Sequence, residues 1–433
     1  MEQLKNAKDA VDFIHGTLKF GSKLGLHNIT ELLSRLGDPQ DNLKFIHIAG
    51  TNGKGSVAAM TASVLTEAGY RVGMFTSPYI YRFHERIQIG GEEISDEALL
   101  SCTQRVKSAI DTMVAEGFTH PTEFEVVTAV GMLHFFQEKC DIVVLEVGMG
   151  GRLDATNVIK TPLSCAITSI HYDHMEYLGD TLTQIAGEKC GILKEGVPVV
   201  VYPDEPEEAL SAIKKHANEK HAPLILPKEA TLLSSSIHGS TFSYGDATYS
   251  LSLLGAHQVK NASMVLALLD VVRSAGFEVS EKAVQKGLST VSWPGRWQVL
   301  GESPLFIMDG AHNENGMASF LDAVNTLLPN QKKIFISGML RDKEYKKCLA
   351  LLDGEWEKLY AVTVPNPRTL SSEEYAKEAE KYGKNVIPST PEEAVKAALK
   401  EADENTAILA FGSLYLLGDI RAAYEKYTER SNA

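Results

Sequence analysis

The chain has 433 residues, 44% hydrophobic and 23% charged, with a net charge of −14. This length predicts two or three domains, and the acidic charge argues against a nucleic-acid partner. Five scattered cysteines argue against a disulfide framework. Because residues 1–16 lack the apolar core of a signal peptide, and no apolar run approaches the roughly 20 residues of a membrane helix, we expect a cytoplasmic protein without membrane contact.

Apolar runs alternate with helical patterns along the chain, which predicts a mostly parallel α/β architecture. In the first part, strands are expected at 44–49, 72–76, 142–147, 166–169 and 198–202. Helices are expected at 57–67, 96–116, 124–138 and 259–275. Between them, alternating Ser/Thr/Gly-rich runs over 231–253 predict a small β-meander.

The segment 291–297 is the expected domain boundary, because Pro294 and Gly295 interrupt the preceding helix. A new strand–helix series begins at Leu305 and continues with strands at 333–338, 358–364 and 407–411. We therefore predict a first domain over residues 1–295, with a P-loop-type sheet, and a second, Rossmann-like open α/β domain over 296–433.

Residues 50–56, Gly-Thr-Asn-Gly-Lys-Gly-Ser, follow an apolar run and precede a helical pattern. Glycines allow a backbone to approach a phosphate closely, and the N–H groups at a helix start favour anions. Lys54 adds a positive charge for the β- and γ-phosphates, and Ser56 can reach the accompanying magnesium. The spacing departs from G-x-x-x-x-G-K-[ST] because Gly55 separates Lys54 from Ser56. The context nevertheless predicts a nucleotide triphosphate site.

Two further strands of the first domain end in polar loops. Glu146 ends one of them and precedes the glycine-rich run 148–157, and His171, Asp173 and His174 follow the next. Ligands of open α/β sheets bind at the carboxyl ends of strands, so we expect these loops to share one cleft. A carboxylate and an imidazole there would suit a nucleotide-bound Mg²⁺.

Two other candidates stay open on residue patterns alone. Lys189, in an apolar helical segment with Glu188, reads as a helix-surface or ion-paired lysine. Asp309 and His312 follow a strand of the second domain. They could form an ordinary Asx turn or orient a base, a ribose or an incoming amine.

Taken together, the motifs resemble the folylpolyglutamate synthase/dihydrofolate synthase family of the Mur ligase superfamily. In chain order they are GTNGKGS (50–56), TSPYIYRFHERI (76–87), TEFE (122–125), EVGMGGRLDATN (146–157), DHMEYLG (173–179), GEKCGILK (187–194), WPGR (293–296) and DGAHN (309–313). The resemblance implies a Mur-ligase-type ATP-binding domain followed by a glutamate-ligase domain. It also implies an ATP-dependent amide ligase in which an acyl phosphate, formed on a substrate carboxylate, is attacked by the amino group of L-glutamate.

The resemblance also implies roles for individual residues. The implied ATP-binding residues are Asn52, Gly53, Lys54, Gly55, Ser56, Asn261, Arg296 and Asp309. The implied ligands of two Mg²⁺ sites are Ser77, Glu146, His174 and Lys189, the last as a carbamate derived from CO₂. Lys54, Lys189 and His312 are the implied catalytic residues, with His312 placed for glutamate or its amine. A lysine must be neutral to capture CO₂, so its pKa has to be lowered by its setting.

The folate-side contacts come from three segments that match the family's loops. They are Arg82, Phe83 and Arg86, then Thr122, Glu123, Phe124 and Glu125, and finally Leu153, Asp154 and Ala155. An aromatic ring beside paired arginines suits a planar ligand with a carboxylate tail. For any one of these residues, ordinary loop packing is the alternative.

Three alternative functions differ in what they require. Peptidoglycan Mur ligases carry a sugar-nucleotide domain before the phosphate loop, where this chain has only about 45 residues, far below a domain. A non-ligase ATPase or binding module would need neither Lys189 nor the DGAHN segment. Within the family, a folylpolyglutamate synthase would act on tetrahydrofolate and its derivatives alone, whereas the loop 151–157 resembles that of bifunctional enzymes that also use dihydropteroate. We expect the bifunctional enzyme, as a monomer.

Overall fold

The computed structural model describes residues 4–21 and 25–432 and has a mixed α/β fold. It divides into two compact units. One contains the described residues of Met1–Thr231, Ser243–Tyr249 and Lys260–Val291; the other contains those of Leu232–Phe242, Ser250–Val259 and Ser292–Ala433. A division at residues 295 and 296 remains a prediction.

The first unit is built on an eight-stranded sheet. Its strands are β1 (Phe45–Ala49), β2 (Val72–Phe75), β3 (Ile87–Ile89), β4 (Glu92–Glu93), β5 (Ile142–Glu146), β6 (Ser164–Ile167), β7 (Val199–Val201) and β8 (Leu224–Ile225). They lie in the order β4-β3-β2-β5-β1-β6-β7-β8. The pairs from β2 to β8 are parallel, whereas β3 and β4 are antiparallel additions at one edge. The central strands are buried on both faces, as parallel sheets require.

Helices cover this sheet, and their starts follow local capping rules. Those before residue 291 are α1 (Ala7–Gly16), α2 (His27–Arg35), α3 (Lys54–Glu67), α4 (Asp96–Ala115), α5 (Glu123–Gln137), α6 (Met175–Leu178), α7 (Leu182–Cys190), α8 (Glu207–Glu219), α9 (Ala256–Ser274) and α10 (Glu281–Thr290). Ser95 caps α4 by accepting a hydrogen bond from the Ala98 N–H group. Short 3₁₀ turns occupy Thr17–Phe20, Pro39–Asn42, Phe83–Arg86 and Ala155–Val158.

A small separate sheet confirms the predicted meander. Its strands are β9 (Ala230–Ser236), β10 (Gly239–Tyr244) and β11 (Ala247–Leu251), in the order β11-β10-β9. Neighbouring strands in this sheet are also consecutive along the chain, as short connections favour.

The second unit has a six-stranded sheet of its own. The strands are β12 (Gln298–Glu302), β13 (Leu305–Met308), β14 (Lys332–Ser337), β15 (Lys358–Val362), β16 (Val386–Ser389) and β17 (Thr406–Phe411), in the order β12-β13-β17-β14-β15-β16. β12 is antiparallel to β13, and the other pairs are parallel. The helices are α11 (Glu314–Leu327), α12 (Tyr345–Leu351), α13 (Ser372–Ala379), α14 (Pro391–Glu401) and α15 (Leu414–Asn432). This is the open α/β arrangement that the sequence predicts.

The predicted elements are confirmed with small shifts of their ends. The strand expected at 166–169 lies at Ser164–Ile167, which leaves Thr168 and Ser169 to the loop. The helix expected from residue 57 begins at Lys54, directly after Gly53 with its positive φ of 89°. In the part of the chain that the structure describes, none of the helices combines the length and hydropathy needed to cross a membrane.

Candidate active site

The loop between β1 and α3 is a tight turn whose glycines leave no room for a side chain. Gly50 has φ 151°, and a Cβ there would lie 1.8 Å from Thr168 Oγ1 and 2.8 Å from the Thr168 carbonyl oxygen. At Gly53, a Cβ would lie 2.7 Å from Asn261 Oδ1. The structure therefore places Asn261, in the second turn of α9, beside this loop; its contact with nucleotide stays a prediction.

Two lysines from different helices converge on one carbonyl oxygen of this loop. Lys54 Nζ donates to the Gly50 carbonyl at 3.1 Å and to the Thr51 carbonyl at 3.2 Å. Lys189 Nζ, from α7, donates to the Gly50 carbonyl at 2.7 Å. Lys189 is only 3% exposed, so the interpretation of this residue as a helix-surface lysine is wrong. The side-chain nitrogens of two lysines thus meet at the carbonyl oxygen of Gly50, at the beginning of the glycine-rich loop.

The setting of Lys189 disfavours its charged form. Burial is the main cause and the nearby charge of Lys54 the second, and together they lower the pKa of Lys189 from 10.5 to about 7. The carboxylates of Asp173, Glu205 and Asp154 act in the opposite direction. A large fraction of Lys189 is therefore a neutral, nucleophilic amine near neutral pH.

Glu146 and Ser77 lie together at the carboxyl ends of two adjacent strands, β5 and β2. Glu146 is 4% exposed, and its Oε2 accepts a hydrogen bond from the Ser77 N–H group at 3.1 Å. A buried carboxylate beside a hydroxyl-bearing residue is an oxygen donor set that suits Mg²⁺, which takes its remaining ligands from water and phosphate. These two residues therefore fit a nucleotide-bound magnesium.

His174 occupies the loop after β6, where the backbone is strained. It has φ 50°, a left-handed conformation that is costly for a residue other than glycine. Asp173 Oδ1 accepts a hydrogen bond from the His174 N–H group at 2.9 Å and lies 3.9 Å from His174 Nε2. Within the described residues, no three His, Cys, Asp or Glu side chains are grouped as a metal centre. The structure thus joins Ser77 to Glu146, and His174 to Asp173.

The loop after β5 is held by its own aspartate. Asp154 Oδ2 accepts from the Gly148 and Met149 N–H groups at 3.1 and 3.0 Å. Asp154 Oδ1 accepts from the Thr156 N–H group at 3.0 Å and from Thr156 Oγ1 at 2.5 Å. Both carboxylate oxygens of Asp154 therefore bind the loop itself. The other two predicted folate contacts of this loop flank Asp154: Leu153 is half-buried and Ala155 is buried.

The predicted contact segment 122–125 forms the start of α5. Thr122 and Glu125 make a reciprocal capping box, with the Thr122 N–H group donating to Glu125 Oε2 at 2.7 Å. Glu123 Oε1 lies 2.8 Å from His15 Nδ1 of α1. The ring of Phe124 lies against Gly148, where a Cβ would come within 2.5 Å of it. The segment thus connects α1, α5 and the loop after β5.

The third predicted contact segment is an aromatic and cationic cluster. The Arg86 guanidinium lies over the rings of Tyr79 and Phe83, at 5.2 and 5.8 Å from their centroids. Tyr79 OH lies 3.4 Å from His15 Nε2. Arg82 points to a different partner, with its Nε 3.0 Å from Glu93 Oε2. The structure thus brings Phe83, Arg86 and Glu123 together through His15 and Tyr79, and separates Arg82 from them.

In the second unit, the loop after β13 is organised around Asp309. Its Oδ2 accepts from the Trp297 N–H group and its Oδ1 from the Ala311 N–H group, both at 2.8 Å. Removal from solvent raises the pKa of Asp309, and the charge of Arg296 opposes this shift. His312 Nδ1 lies 2.7 Å from the Gly310 carbonyl oxygen, so Nδ1 donates this hydrogen bond and Nε2 is an acceptor whenever the ring is neutral. Arg296 therefore lies near Asp309, and His312 bonds within the same loop; their roles in binding stay predictions.

Two residues of the first unit were missed by the sequence analysis. His15 lies 108 positions from Glu123, its partner, and Glu205 contacts Ile170 from a loop 35 positions further along the chain. No local motif indicates either residue, because each acts through a contact between distant segments.

Comparison with known proteins identifies both parts of the chain. Residues 48–269 match the Mur ligase middle domain, and residues 295–414 match the Mur ligase glutamate ligase domain. A Bacillus subtilis protein named dihydrofolate synthase/folylpolyglutamate synthase is 36% identical over 425 residues, covering 96% of this chain and 98% of its own length.

Solved structures of proteins from the same family are similar to this chain along its length. A folylpolyglutamate synthase from Thermotoga maritima is 34% identical, with a TM-score of 0.83 and 96% of both chains covered. Escherichia coli FolC in complex with DHPP and ADP is 29% identical, with a TM-score of 0.87 and all of both chains covered. The chain therefore belongs to the folylpolyglutamate synthase/dihydrofolate synthase family of the Mur ligases.

Proposed function

We propose that the chain is an ATP-dependent ligase that joins L-glutamate to the carboxylate of a folate or of dihydropteroate. The observation that carries this proposal is the convergence of Lys54 and Lys189 on the Gly50 carbonyl, in a phosphate loop of a Mur ligase domain. The ADP complex of E. coli FolC supports ATP as the nucleotide.

The first step is phosphoryl transfer to the substrate carboxylate. A carboxylate oxygen forms a bond to the γ-phosphorus of ATP while the bond from that phosphorus to the ADP oxygen breaks. Two anions must approach each other in this step, and Lys54 offsets their repulsion. The N–H groups of Gly53, Gly55 and Ser56, at the start of α3, would hold the phosphates, and Asn52 would contact the nucleotide from the preceding loop.

Magnesium would be held by Ser77 and Glu146, with His174 as a further ligand and carbamylated Lys189 at a second site. Bound there, Mg²⁺ would neutralise charge on the β- and γ-phosphates. Ser77 and Glu146 are already in contact through the Ser77 N–H group. This bond holds the Glu146 carboxylate against the backbone of Ser77, and the two side chains would supply oxygen ligands of the kind that Mg²⁺ takes in proteins.

The neutral amine of Lys189, which burial favours, would react with CO₂ to form the carbamate. The amine nitrogen forms a bond to the carbon of CO₂ and releases one proton, leaving a carboxylate on the side chain. This replaces a buried amine with an oxygen donor next to the phosphate loop. The lowered pKa of Lys189, about 7, supports the reaction at neutral pH.

The second step is amide formation. The amino group of L-glutamate attacks the acyl carbon, phosphate leaves, and the nitrogen loses a proton. His312 would act on glutamate or its amine, because its Nε2 is an acceptor while Nδ1 donates to the Gly310 carbonyl. Arg296 and Asp309 would contact the nucleotide, and Asn261 would do so beside Gly53.

Folate or dihydropteroate would contact the start of α5 and the loop that follows β5. Phe124, Phe83 and Arg86 would provide ring and guanidinium surfaces, and Arg82 would exchange its partner Glu93 for a substrate carboxylate. Thr122, Glu125 and Asp154 would act by shaping these loops, since their side chains are engaged within them. Glu123 would act as a pair with His15, and Leu153 and Ala155 would contribute apolar contacts.

We also propose that the ligase works in the cytoplasm as a monomer with small-molecule partners. The acidic net charge and the five unpaired cysteines support this. The proposed domains are residues 1–295 for ATP and 296–433 for glutamate.

A product assay tests the function. Purified protein is incubated with MgATP and L-glutamate, and with dihydropteroate or tetrahydrofolate in parallel reactions, and products are identified by mass spectrometry. We expect an added glutamate on both substrates, and none without ATP. Product from tetrahydrofolate alone would leave a folylpolyglutamate synthase; product from neither, with ATP binding verified, would refute the proposed substrates.

A further inference from the structure

We infer that Glu205, in the loop between β7 and α8, is a positioning residue for the phosphate end of the site. It holds the segment that begins at Ile170 against the phosphate loop. This inference rests on the proposed function only for its activity readout, since nucleotide binding tests it independently.

The first observation is the contact of Glu205 itself. Its Oε2 accepts a hydrogen bond from the Ile170 N–H group at 2.9 Å. Ile170 precedes the loop that carries Asp173 and His174, the proposed metal-side residues. Glu205 therefore fixes the start of that loop from a separate strand-to-helix connection.

The second observation is that the same segment is bonded to the phosphate loop. The Thr51 N–H group donates to the Ser169 carbonyl at 2.8 Å. Thr51 Oγ1 lies 3.1 Å from both the His171 carbonyl oxygen and the His171 nitrogen. Ser169 and His171 flank Ile170, so the residue held by Glu205 lies between the two residues that contact Thr51.

The third observation is an orphaned oxygen. Glu205 is 9% exposed, and its Oε1 has no hydrogen-bond partner among the residues that the structure describes. A buried carboxyl oxygen without a partner destabilises a fold, so packing alone does not account for an acidic side chain here. Burial raises the pKa of Glu205 to about 8, and nearby Lys189 opposes this shift, which places the residue in the electrostatic neighbourhood of the phosphate loop.

The preceding residue makes a parallel connection. Asp204 forms an ion pair with Lys260 of α9, next to Asn261, whose Oδ1 lies against Gly53. The consecutive residues Asp204 and Glu205 thus contact two different segments that pack against the phosphate loop: α9, through Lys260, and the segment around Ile170. The pair Asp204–Glu205 accordingly links β7 to the elements that hold nucleotide.

Three variants test the inference. Glu205→Ala removes the hydrogen bond to Ile170, Glu205→Gln keeps an oxygen acceptor without the charge, and Glu207→Ala removes an exposed carboxylate two residues away. The readouts are MgADP affinity by titration calorimetry, KM for ATP and kcat for ligation, and urea denaturation.

We expect Glu205→Ala to weaken MgADP binding and raise the KM for ATP by roughly tenfold, about the value of one hydrogen bond, and to lose some stability because the buried Ile170 N–H group is left without an acceptor. Glu205→Gln should stay within about threefold of the parent protein, and Glu207→Ala should match it. Unchanged MgADP affinity in Glu205→Ala would overturn the inference, as would equal losses in Glu205→Gln and Glu205→Ala. If the parent protein binds MgADP but ligates nothing, the proposed function fails while the Glu205 test by affinity stands.

Discussion

Replacing Gly50 by alanine should damage both the fold and the nucleotide site. The new Cβ would lie 1.8 Å from Thr168 Oγ1, which can rotate away, and 2.8 Å from the Thr168 carbonyl oxygen, which belongs to the backbone and cannot. The residue would also have to adopt φ 151°. Backbone strain of about 1–3 kcal/mol and overpacking of a similar size predict a loss of about 2–6 kcal/mol in the free energy of unfolding of the first unit.

The functional effect follows from the Gly50 carbonyl, which accepts hydrogen bonds from both Lys54 and Lys189. Displacing this oxygen moves the side-chain nitrogens of both lysines, so we expect MgADP affinity to fall by at least about tenfold, the effect of one lost charge-assisted contact from Lys54. Gly69→Ala is the matched control, because Gly69 has φ 92° but a Cβ there would meet no other atom within 4 Å among the described residues. It should show the strain without the clash, at about 1–2 kcal/mol.

The assay must report on the first unit. The three tryptophans, Trp293, Trp297 and Trp356, all lie in the second unit, so their fluorescence would follow the wrong part of the molecule. Hydrogen exchange resolved to peptides over 45–67, together with calorimetric titration of MgADP, measures the relevant stability and binding. A Gly50→Ala protein with exchange protection and MgADP affinity equal to those of the parent would refute this interpretation of the loop.

Three further predictions concern the two lysines. Lys54→Ala should lower ATP turnover by about 10²–10³-fold with circular dichroism unchanged; undiminished turnover would show that Lys54 does not face the phosphates. Lys189→Ala should remove most ligase activity while the protein stays folded, and near-normal turnover would exclude an essential carbamate. Because Lys189 has its pKa lowered to about 7 from 10.5, its neutral form and CO₂-dependent activity should be lost as pH falls through about 7. Between about pH 7 and pH 10.5 the unfolded chain binds more protons at Lys189 than the folded chain, so this group should make the free energy of unfolding rise with pH across that window. If Lys189→Ala leaves the pH profiles of activity and of denaturation unchanged, the lowered pKa of Lys189 is contradicted.

The parts of the fold set by local pattern were predictable from the sequence. The phosphate loop is one example, because an apolar strand, glycines and a helix start follow one another within 45–67. The buried strands β5 and β13 are others, since a continuous apolar run bounded by polar loops has few alternatives. Glu146 and Asp309 were located for the same reason, because Glu146 ends one such run and Asp309 directly follows the other.

Contacts between distant segments were not predictable in this way. The burial of Lys189 depends on the packing of α7 against the phosphate loop, which its own neighbours in sequence do not encode. The segment 122–125 carried a capping-box pattern, Thr122 and Glu125, that explains both side chains structurally. The family resemblance implies that Thr122 and Glu125 contact folate, and the structure shows that their side chains cap the start of α5.

The most direct test of the proposed chemistry follows oxygen during ligation. Tetrahydrofolate labelled with ¹⁸O in its reacting carboxylate is incubated with MgATP, L-glutamate and the protein, and the released phosphate is examined by mass spectrometry. Activation through an acyl phosphate predicts one ¹⁸O atom in phosphate for each amide formed. Amide formation with unlabelled phosphate would contradict activation through an acyl phosphate.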